Sequence, residues 1–189
     1  STFEKYADPF PVVLGKNGLA WGKGIAENVG QRAGPVKHEG DGRAPAGIFK
    51  LGTAFGYAST ATTQLPYLAL TPTTECVDDS QSRHYNELVD GAAIARDWNS
   101  SERMRRDDDM YRQGIFIEHN SPASPAMGSC IFFHIWRGPS LPTLGCTAMD
   151  QADISRLLGW LDPRQSPLLI QLPEAEYEHA RVSWNMPER

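Results

Sequence analysis

The 189-residue sequence lacks a long hydrophobic run and an excess of positive charge. Its longest apolar run, IFFHIW at 131–136, is interrupted by His134. This run is far shorter than the ~20 residues that a membrane-spanning helix needs, so we expect no membrane span. The net charge of −5 offers no basic stripe of the kind typical of nucleic-acid-binding proteins. We therefore expect no nucleic-acid partner.

Two local patterns that would imply other functions are also weak or missing. The short basic cluster at 103–106 is followed at once by three aspartates at 107–109, so it is predicted to be a self-neutralised surface segment. The phosphate-loop pattern GxxxxGK[ST] is not found, and nucleotide binding therefore has no support in the sequence.

Cysteine is scarce, with Cys76, Cys130 and Cys146 and no CxxC pair among them. A structural zinc site of the usual spacing is therefore not expected. In a secreted chain three cysteines suggest one disulfide and one free thiol, whereas in the cytosol all three would stay reduced. Cys146 lies in a glycine-containing loop and is the better candidate for a functional thiol. Cys130 lies in an apolar segment and is expected to behave as a small core residue.

The composition favours a single, mostly β domain over residues 1–189. Apolar residues make up 40% and charged residues 22%, which is ordinary for a folded domain. The 17 glycines and 14 prolines suit a loop-rich β protein better than a helical bundle. The first two predicted strands form a hairpin, with Asn17-Gly18 as its turn signal. Strands are predicted at 10–14, 19–26, 45–51, 66–71, 114–119, 129–136 and 168–172.

One amphipathic helix is predicted after Cys146, with Asp150 as its N-cap and Pro163 beyond its end. Its apolar face is marked by residues at helical spacing: Ile154, Leu157, Leu158 and Leu161. The charged stretch 87–112 is compatible with either an irregular helix or a long loop. The residues after 172 form a polar tail.

The stretch GSCIFFHIWRGPSLPTLGCTAMD, at 128–150, carries the most informative chemistry. A cysteine thiol becomes a nucleophile at neutral pH when a nearby base takes its proton. His134 lies near the end of a predicted strand, and Cys146 follows a Pro- and Gly-containing loop that can double back toward it. Gly145 allows close approach of the backbone, and the N–H groups of Gly145, Cys146 and Thr147 are candidates for an oxyanion hole.

The string H-x8-T-x-G-C, formed by His134, Thr143, Gly145 and Cys146, resembles the signature of the L,D-transpeptidase (YkuD-type) family. The wider pattern FxHxW…PTxGC resembles one subgroup of that family. Two further stretches resemble the same subgroup, EGDGRAPAGIFKLGTAFGY at 39–57 and CVDDSQSRHYN at 76–86. The resemblance covers roughly 35–160. It departs from many members in its shorter loop and in Leu144, at a place where histidine is frequent.

This resemblance implies a mostly β catalytic domain, sandwich- or barrel-like, with one or two short helices. It implies action on peptidoglycan stem peptides in the bacterial cell envelope, periplasmic or secreted, with no metal or other cofactor. Cys146 would attack the carbonyl of the diamino acid before a terminal D-alanine and form a thioester. His134 would accept the thiol proton and then donate it. An amine of a neighbouring stem would resolve the thioester and form a cross-link.

The resemblance also suggests roles for other residues. Thr143, Gly145 and Thr147 would lie in the substrate and oxyanion region. Arg137 is either a ligand for a substrate carboxylate or an ordinary surface arginine. An exported protein could pair Cys76 with Cys130 and leave Cys146 free.

Several alternatives stay open at this point. With water as the acceptor, the same residues would make an L,D-carboxypeptidase. A non-catalytic cell-wall-binding domain could also keep the fold. Glu118 and His119 either border the cleft or are structural, and a Cys-His-His metal site of His119, His134 and Cys146 is a further option. The roles of four polar residues in the 76–86 stretch are also open: Asp78, Asp79, His84 and Tyr85.

Overall fold

A computed structural model describes residues 3–25 and 33–188. These residues form eleven β-strands and two short α-helices. The strands are β1 Val12–Val13, β2 Leu19–Trp21, β3 Ala44–Gly56, β4 Tyr67–Ala69, β5 Thr74–Val77, β6 Leu88–Asp90, β7 Ser101–Arg103, β8 Gln113–Ile117, β9 Phe132–Ile135, β10 Thr147–Met149 and β11 Leu168–Gln171. The helices are α1 Gln151–Trp160 and α2 Glu174–Arg181, and a single 3₁₀ turn covers Pro163–Gln165. The predicted mostly β class with one or two short helices is confirmed.

The strands form one large sheet and one small sheet. The large sheet has the order β1-β10-β9-β8-β3-β11, and β2 and β4 also pair with β3. Its β9–β10 pair is parallel, whereas β8 runs antiparallel to both β3 and β9. The small sheet has the order β6-β5-β7. None of the helices in the described part of the chain is both long and apolar enough to cross a membrane.

Helix α1 follows the sequence prediction closely. The carboxylate of its N-cap, Asp150, accepts a hydrogen bond from the Ala152 N–H at 2.9 Å. Ile154, Leu158 and Leu161 are buried against one face of the large sheet. Burial of this apolar stripe is the main stabilising contribution, because a ten-residue helix is marginal on its own.

Both faces of β9 are buried, and successive side chains alternate between them. Phe133 and Ile135 join the core that includes α1. Phe132 belongs to a second cluster on the other face, together with Tyr111 and Cys146. His134 is two residues after Phe132 and therefore faces this second side as well. Because of this alternation, the side chain of His134 lies on the face of β9 away from α1 and toward the small sheet.

The predicted hairpin is wrong. A turn does occur at Asn17-Gly18, where the Gly18 N–H donates to the Gly15 carbonyl at 2.8 Å and Gly18 has a φ of 81°. The flanking strands do not pair with each other, because β1 pairs with β10 and β2 pairs with β3. Long-range pairing therefore overrode the local turn signal. Ala26, the predicted end of the second strand, lies outside the described residues.

The remaining strand predictions hold with shifted ends. The predicted strand 129–136 is shorter, and the predicted strand 45–51 extends to Gly56. The undecided stretch 87–112 contains β6 and β7 and no helix among these described residues. The polar tail instead forms α2, which contributes buried Ala180.

Candidate active site

His134 in β9 and Cys146, the residue just before β10, lie on the same side of two adjacent parallel strands. The β9–β10 register pairs His134 with Ala148, so Cys146, two residues earlier, is diagonal to His134. The Phe132 N–H donates to the Cys146 Sγ at 3.4 Å, which keeps the thiol against β9. His134 and Cys146 line one cavity of about 560 Å³. The topology thus brings together the two residues that the sequence nominated.

His134 is held in a defined orientation by the backbone. It is buried, and its Nδ1–H donates to the carbonyl of Ile135 at 2.8 Å. That hydrogen bond fixes the tautomer in which Nε2 is free to accept a proton. Burial lowers the pKa of His134, with a smaller contribution from the Arg106 guanidinium. His134 is therefore neutral at neutral pH, as a general base must be.

Cys146 is the free cysteine, and its thiol is buried. Its S–H points to the carbonyl of Cys130 at 3.5 Å, while its sulfur accepts from the Phe132 N–H. Burial raises the pKa of Cys146, and the nearby Glu102 carboxylate raises it further. The resting thiol is therefore protonated, and ionisation requires an adjacent base.

The other two cysteines form a disulfide. Cys76 in β5 is bonded to Cys130, with their Cα atoms 6.0 Å apart. The expected pairing is confirmed. The bond ties the small sheet to the segment that leads into β9, so it also anchors the Cys130 carbonyl that faces Cys146. Cys130 itself lies just before the strand and has a φ of 55°.

Thr143 and Gly145 shape the turn that ends in Cys146, and both line the cavity. The Thr143 Oγ1 accepts from the Gly145 N–H at 3.1 Å and donates to the Cys146 carbonyl at 2.6 Å. A Cβ on Gly145 would come within 3.2 Å of the Arg43 carbonyl oxygen. A side chain there would force the tightly packed neighbouring backbone to move, which accounts for the glycine.

Thr147 and Arg137 occupy different surroundings. Thr147 is buried and donates its hydroxyl to Gln171 Oε1 at 2.7 Å, and it is not among the residues that line the cavity. Arg137 follows β9, is exposed, and lines the cavity mouth. Of these two residues, only Arg137 lines the cavity that His134 and Cys146 share.

Sequence reasoning missed the opposite wall of the cavity, which is built from the small sheet and the segment after it. Tyr111 is buried with its ring centroid 5.3 Å from that of His134 and nearly perpendicular to it. Its hydroxyl donates to the Glu102 carboxylate. Arg106 lies over the Tyr111 ring at 5.4 Å. Three of its residues lie in the charged stretch 87–112: Glu102, Arg106 and Tyr111. Because this stretch has no alternation of apolar and polar residues, the sequence did not predict its strands or point to these side chains.

Glu118 and His119 do not line this cavity. His119 is fully buried, its Nε2–H donates to the Met127 carbonyl at 2.9 Å, and burial lowers its pKa to about 4. His119 is therefore a core residue outside the cavity, and the interpretation that it borders the cleft is wrong. Within residues 3–25 and 33–188, no group of three or more His, Cys, Asp or Glu side chains is arranged to hold a metal ion. The Cys-His-His metal alternative is therefore unsupported.

Comparisons with protein-family models, with curated proteins and with solved structures found no match.

Proposed function

We propose that this protein is a peptidoglycan L,D-transpeptidase, a cysteine acyltransferase of the YkuD type. The observation that carries the proposal is the placement of the free Cys146 and an oriented, neutral His134 on one face of β9–β10, lining one cavity. A nucleophile and a base so arranged suit acyl transfer. The substrate class comes from the resemblance of the surrounding sequence motifs.

The first half of the proposed reaction forms a thioester. His134 Nε2 takes the thiol proton as the Cys146 sulfur bonds to the carbonyl carbon of the diamino acid. The carbon–nitrogen bond to the terminal D-alanine then breaks, and His134 returns its proton to the leaving amine. Because the Gly145 N–H is already bound by Thr143, the Cys146 N–H is the proposed donor to the developing oxyanion.

The second half releases the enzyme. An amine of a neighbouring stem attacks the thioester carbon and gives its proton to His134. The carbon–sulfur bond breaks, and the sulfur regains a proton from His134. Arg137 at the cavity mouth is proposed to bind a substrate carboxylate. The Cys76–Cys130 disulfide supports a periplasmic or secreted location, since such bonds persist in oxidising compartments.

Products formed from purified muropeptides test this function. Incubation of the protein with stem tetrapeptides should release D-alanine and yield cross-linked dimers, and Cys146→Ala should yield neither. Shortened stems without dimers would identify an L,D-carboxypeptidase that uses the same two residues. If the wild type changes no muropeptide and Cys146→Ala still binds cell wall, the non-catalytic binding domain is the correct description.

A further inference from the structure

Asn86, the last residue of the 76–86 stretch, takes no part in the proposed reaction and does not line the cavity. It is buried and has a φ of 67°, a left-handed conformation that asparagine tolerates better than most residues. Its Nδ2 donates to the carbonyls of His119 and Asn120 at 2.9 and 3.1 Å. Its Oδ1 accepts from the Cys130 N–H at 2.9 Å. One buried amide therefore joins the residues after β8 to the segment that leads into β9.

Cys130 is the residue in that segment whose backbone most needs support. Its φ of 55° lies in the left-handed region, which residues with a Cβ seldom adopt. Such a conformation persists where the surrounding structure enforces it. The Asn86 amide holds the Cys130 backbone, and the disulfide to Cys76 holds its side chain.

The two residues before Cys130 are also held by side chains rather than by strand pairing. The Gly128 N–H donates to the Tyr85 hydroxyl at 3.1 Å. The Ser129 hydroxyl donates to the Glu39 carboxylate at 2.7 Å, and the Tyr85 hydroxyl donates to the same carboxylate. Residues of the 39–57 and 76–86 stretches therefore set the path of the chain into β9.

This path determines where the sulfur of Cys146 lies. The Cys146 S–H donates to the Cys130 carbonyl at 3.5 Å, and the Phe132 N–H donates to the same sulfur at 3.4 Å. Only Ile131 separates these two backbone groups in the chain, so a rotation of the Cys130 backbone would move both. The position of the sulfur relative to His134 therefore depends on the conformation of Cys130.

We propose that Asn86 is a positioning residue for the acylation of Cys146: its amide fixes the Cys130 backbone, which holds the sulfur within reach of His134. Asn86 does not border the cavity, so it acts through Cys130 and not through the substrate. Its loss should slow attack on a bound donor without weakening the binding of that donor. The effect on the rate rests on the proposed function, whereas the effect on the thiol does not.

Two matched glycine variants separate positioning from stability. Asn86→Gly removes the amide, and glycine adopts a positive φ without strain. Asn120→Gly is the control, because Asn120 is also buried and has a φ of 55°. The Asn120 amide makes three bonds too, two with Ser124 and one with Gly128, and none with Cys130. Urea unfolding should show a similar loss of stability in both variants.

Kinetics with a stem tetrapeptide as donor should distinguish them. Asn86→Gly should lower kcat about 10- to 100-fold, because a small misplacement of a reacting atom has a large effect on the rate. KM should stay within about twofold of the wild-type value, since the binding surface is unchanged. Asn120→Gly should change neither constant. An unchanged kcat in Asn86→Gly, or an equal fall in both variants, would overturn the positioning role.

Two further substitutions complete the series. Asn86→Asp keeps an acceptor for the Cys130 N–H and should restore most of the kcat that Asn86→Gly loses. A kcat as low as that of Asn86→Gly would overturn the role of the bond to Cys130. Asn86→Ser, whose shorter side chain cannot span the same three partners, takes the place of Asn86→Gly if that variant does not fold.

Alkylation by iodoacetamide tests the placement of the thiol without any peptide. Cys76 and Cys130 are bonded to each other, so Cys146 is the thiol that reacts. Asn86→Gly should react at least about fivefold faster than the wild type, because loss of one buried hydrogen bond lets the thiol leave its site that much more often. Asn120→Gly should react like the wild type. Equal rates in all three proteins would show that Asn86 does not hold the thiol.

The two failures can be told apart. If the wild type turns over no donor peptide, the proposed function fails, and the alkylation rates alone decide whether Asn86 holds the thiol. If the wild type turns over the donor and Asn86→Gly does so with the same kcat, the function stands and the positioning role is wrong.

Discussion

At the scale of single residues, the proposed reaction uses Cys146 as a protonated thiol nucleophile and His134 as a neutral base. Both residues were nominated from sequence, because a histidine at a strand end and a Gly-Cys turn form a recognisable pattern, and the structure places both on one cavity. Their ionisation states were not predictable. They depend on burial and on Glu102 and Arg106, which reach the cavity from a part of the chain with no readable pattern.

His134→Gln should lower the rate of Cys146 acylation about 10²- to 10⁴-fold, which is the usual contribution of a general base. Because burial lowers the pKa of His134, the wild-type rate should be level around pH 6.5 and fall only at more acidic pH. In His134→Gln the rate should instead climb steadily toward alkaline pH, since the pKa of the thiol is raised. Rates of acylation from pH 4 to 10 give both profiles. Superimposable profiles would exclude His134 as the base.

His119 should make the fold sensitive to acid. Its pKa is about 4 in the folded protein, against 6.5 for an ordinary histidine, so the unfolded chain binds the proton more tightly. The stability that neutral His119 contributes is complete above pH 6.5 and is lost as the pH falls toward 4. The loss amounts to about 3 kcal/mol, at about 1.4 kcal/mol per pH unit.

Urea unfolding at pH 7 and at pH 4.5 measures this loss. His119→Gln, which cannot titrate, should show a smaller loss between the two pH values than the wild type. His38→Gln removes an exposed histidine and should behave like the wild type. If His119→Gln loses as much stability between pH 7 and pH 4.5 as the wild type does, the acid sensitivity does not come from His119.

At the scale of elements, β9 organises the site because it is buried on both faces. Phe133 and Ile135 pack toward α1, and Phe132 and His134 face the small sheet. The helix and the buried strand could be predicted from periodicity and capping. The pairing of β1 with β10 could not, because the Asn17-Gly18 turn favoured a local hairpin and only the assembled sheet decides between the two partners.

The disulfide joins the small sheet to the approach to β9 and should therefore affect both stability and activity. Cys76→Ala/Cys130→Ala should lose about 2–4 kcal/mol of stability in urea unfolding, as is usual for a bond that closes a long loop. The acylation of Cys146 should also slow, because the Cys130 carbonyl and the Phe132 N–H hold its sulfur.

Reduction of the wild type with dithiothreitol is the matched comparison for this double variant and should reproduce both effects. A double variant with unchanged stability and unchanged rate would show that the small sheet is held in place without the bond.

At the scale of the whole molecule, the cavity lined by His134 and Cys146 takes residues from both sheets and from distant parts of the chain. The large sheet contributes His134 and the Cys146 turn, and the small sheet contributes Glu102. Sequence motifs located the side of the cavity formed by His134 and the Cys146 turn, because these residues are close together in the chain. The opposite side, which contains Glu102, is positioned by the β5–β7 pairing and the Cys76–Cys130 bond. Neither of these can be predicted from the pattern of the charged stretch 87–112.

The intact mass of the protein after incubation with a carbapenem, a mimic of the acyl donor, tests the central claim most directly. The wild type should gain the mass of one carbapenem, and Cys146→Ala should gain none. Cys76→Ala/Cys130→Ala should still gain one, more slowly. A wild type that stays unmodified, or an adduct that persists in Cys146→Ala, would contradict the assignment of Cys146 as the acylated nucleophile.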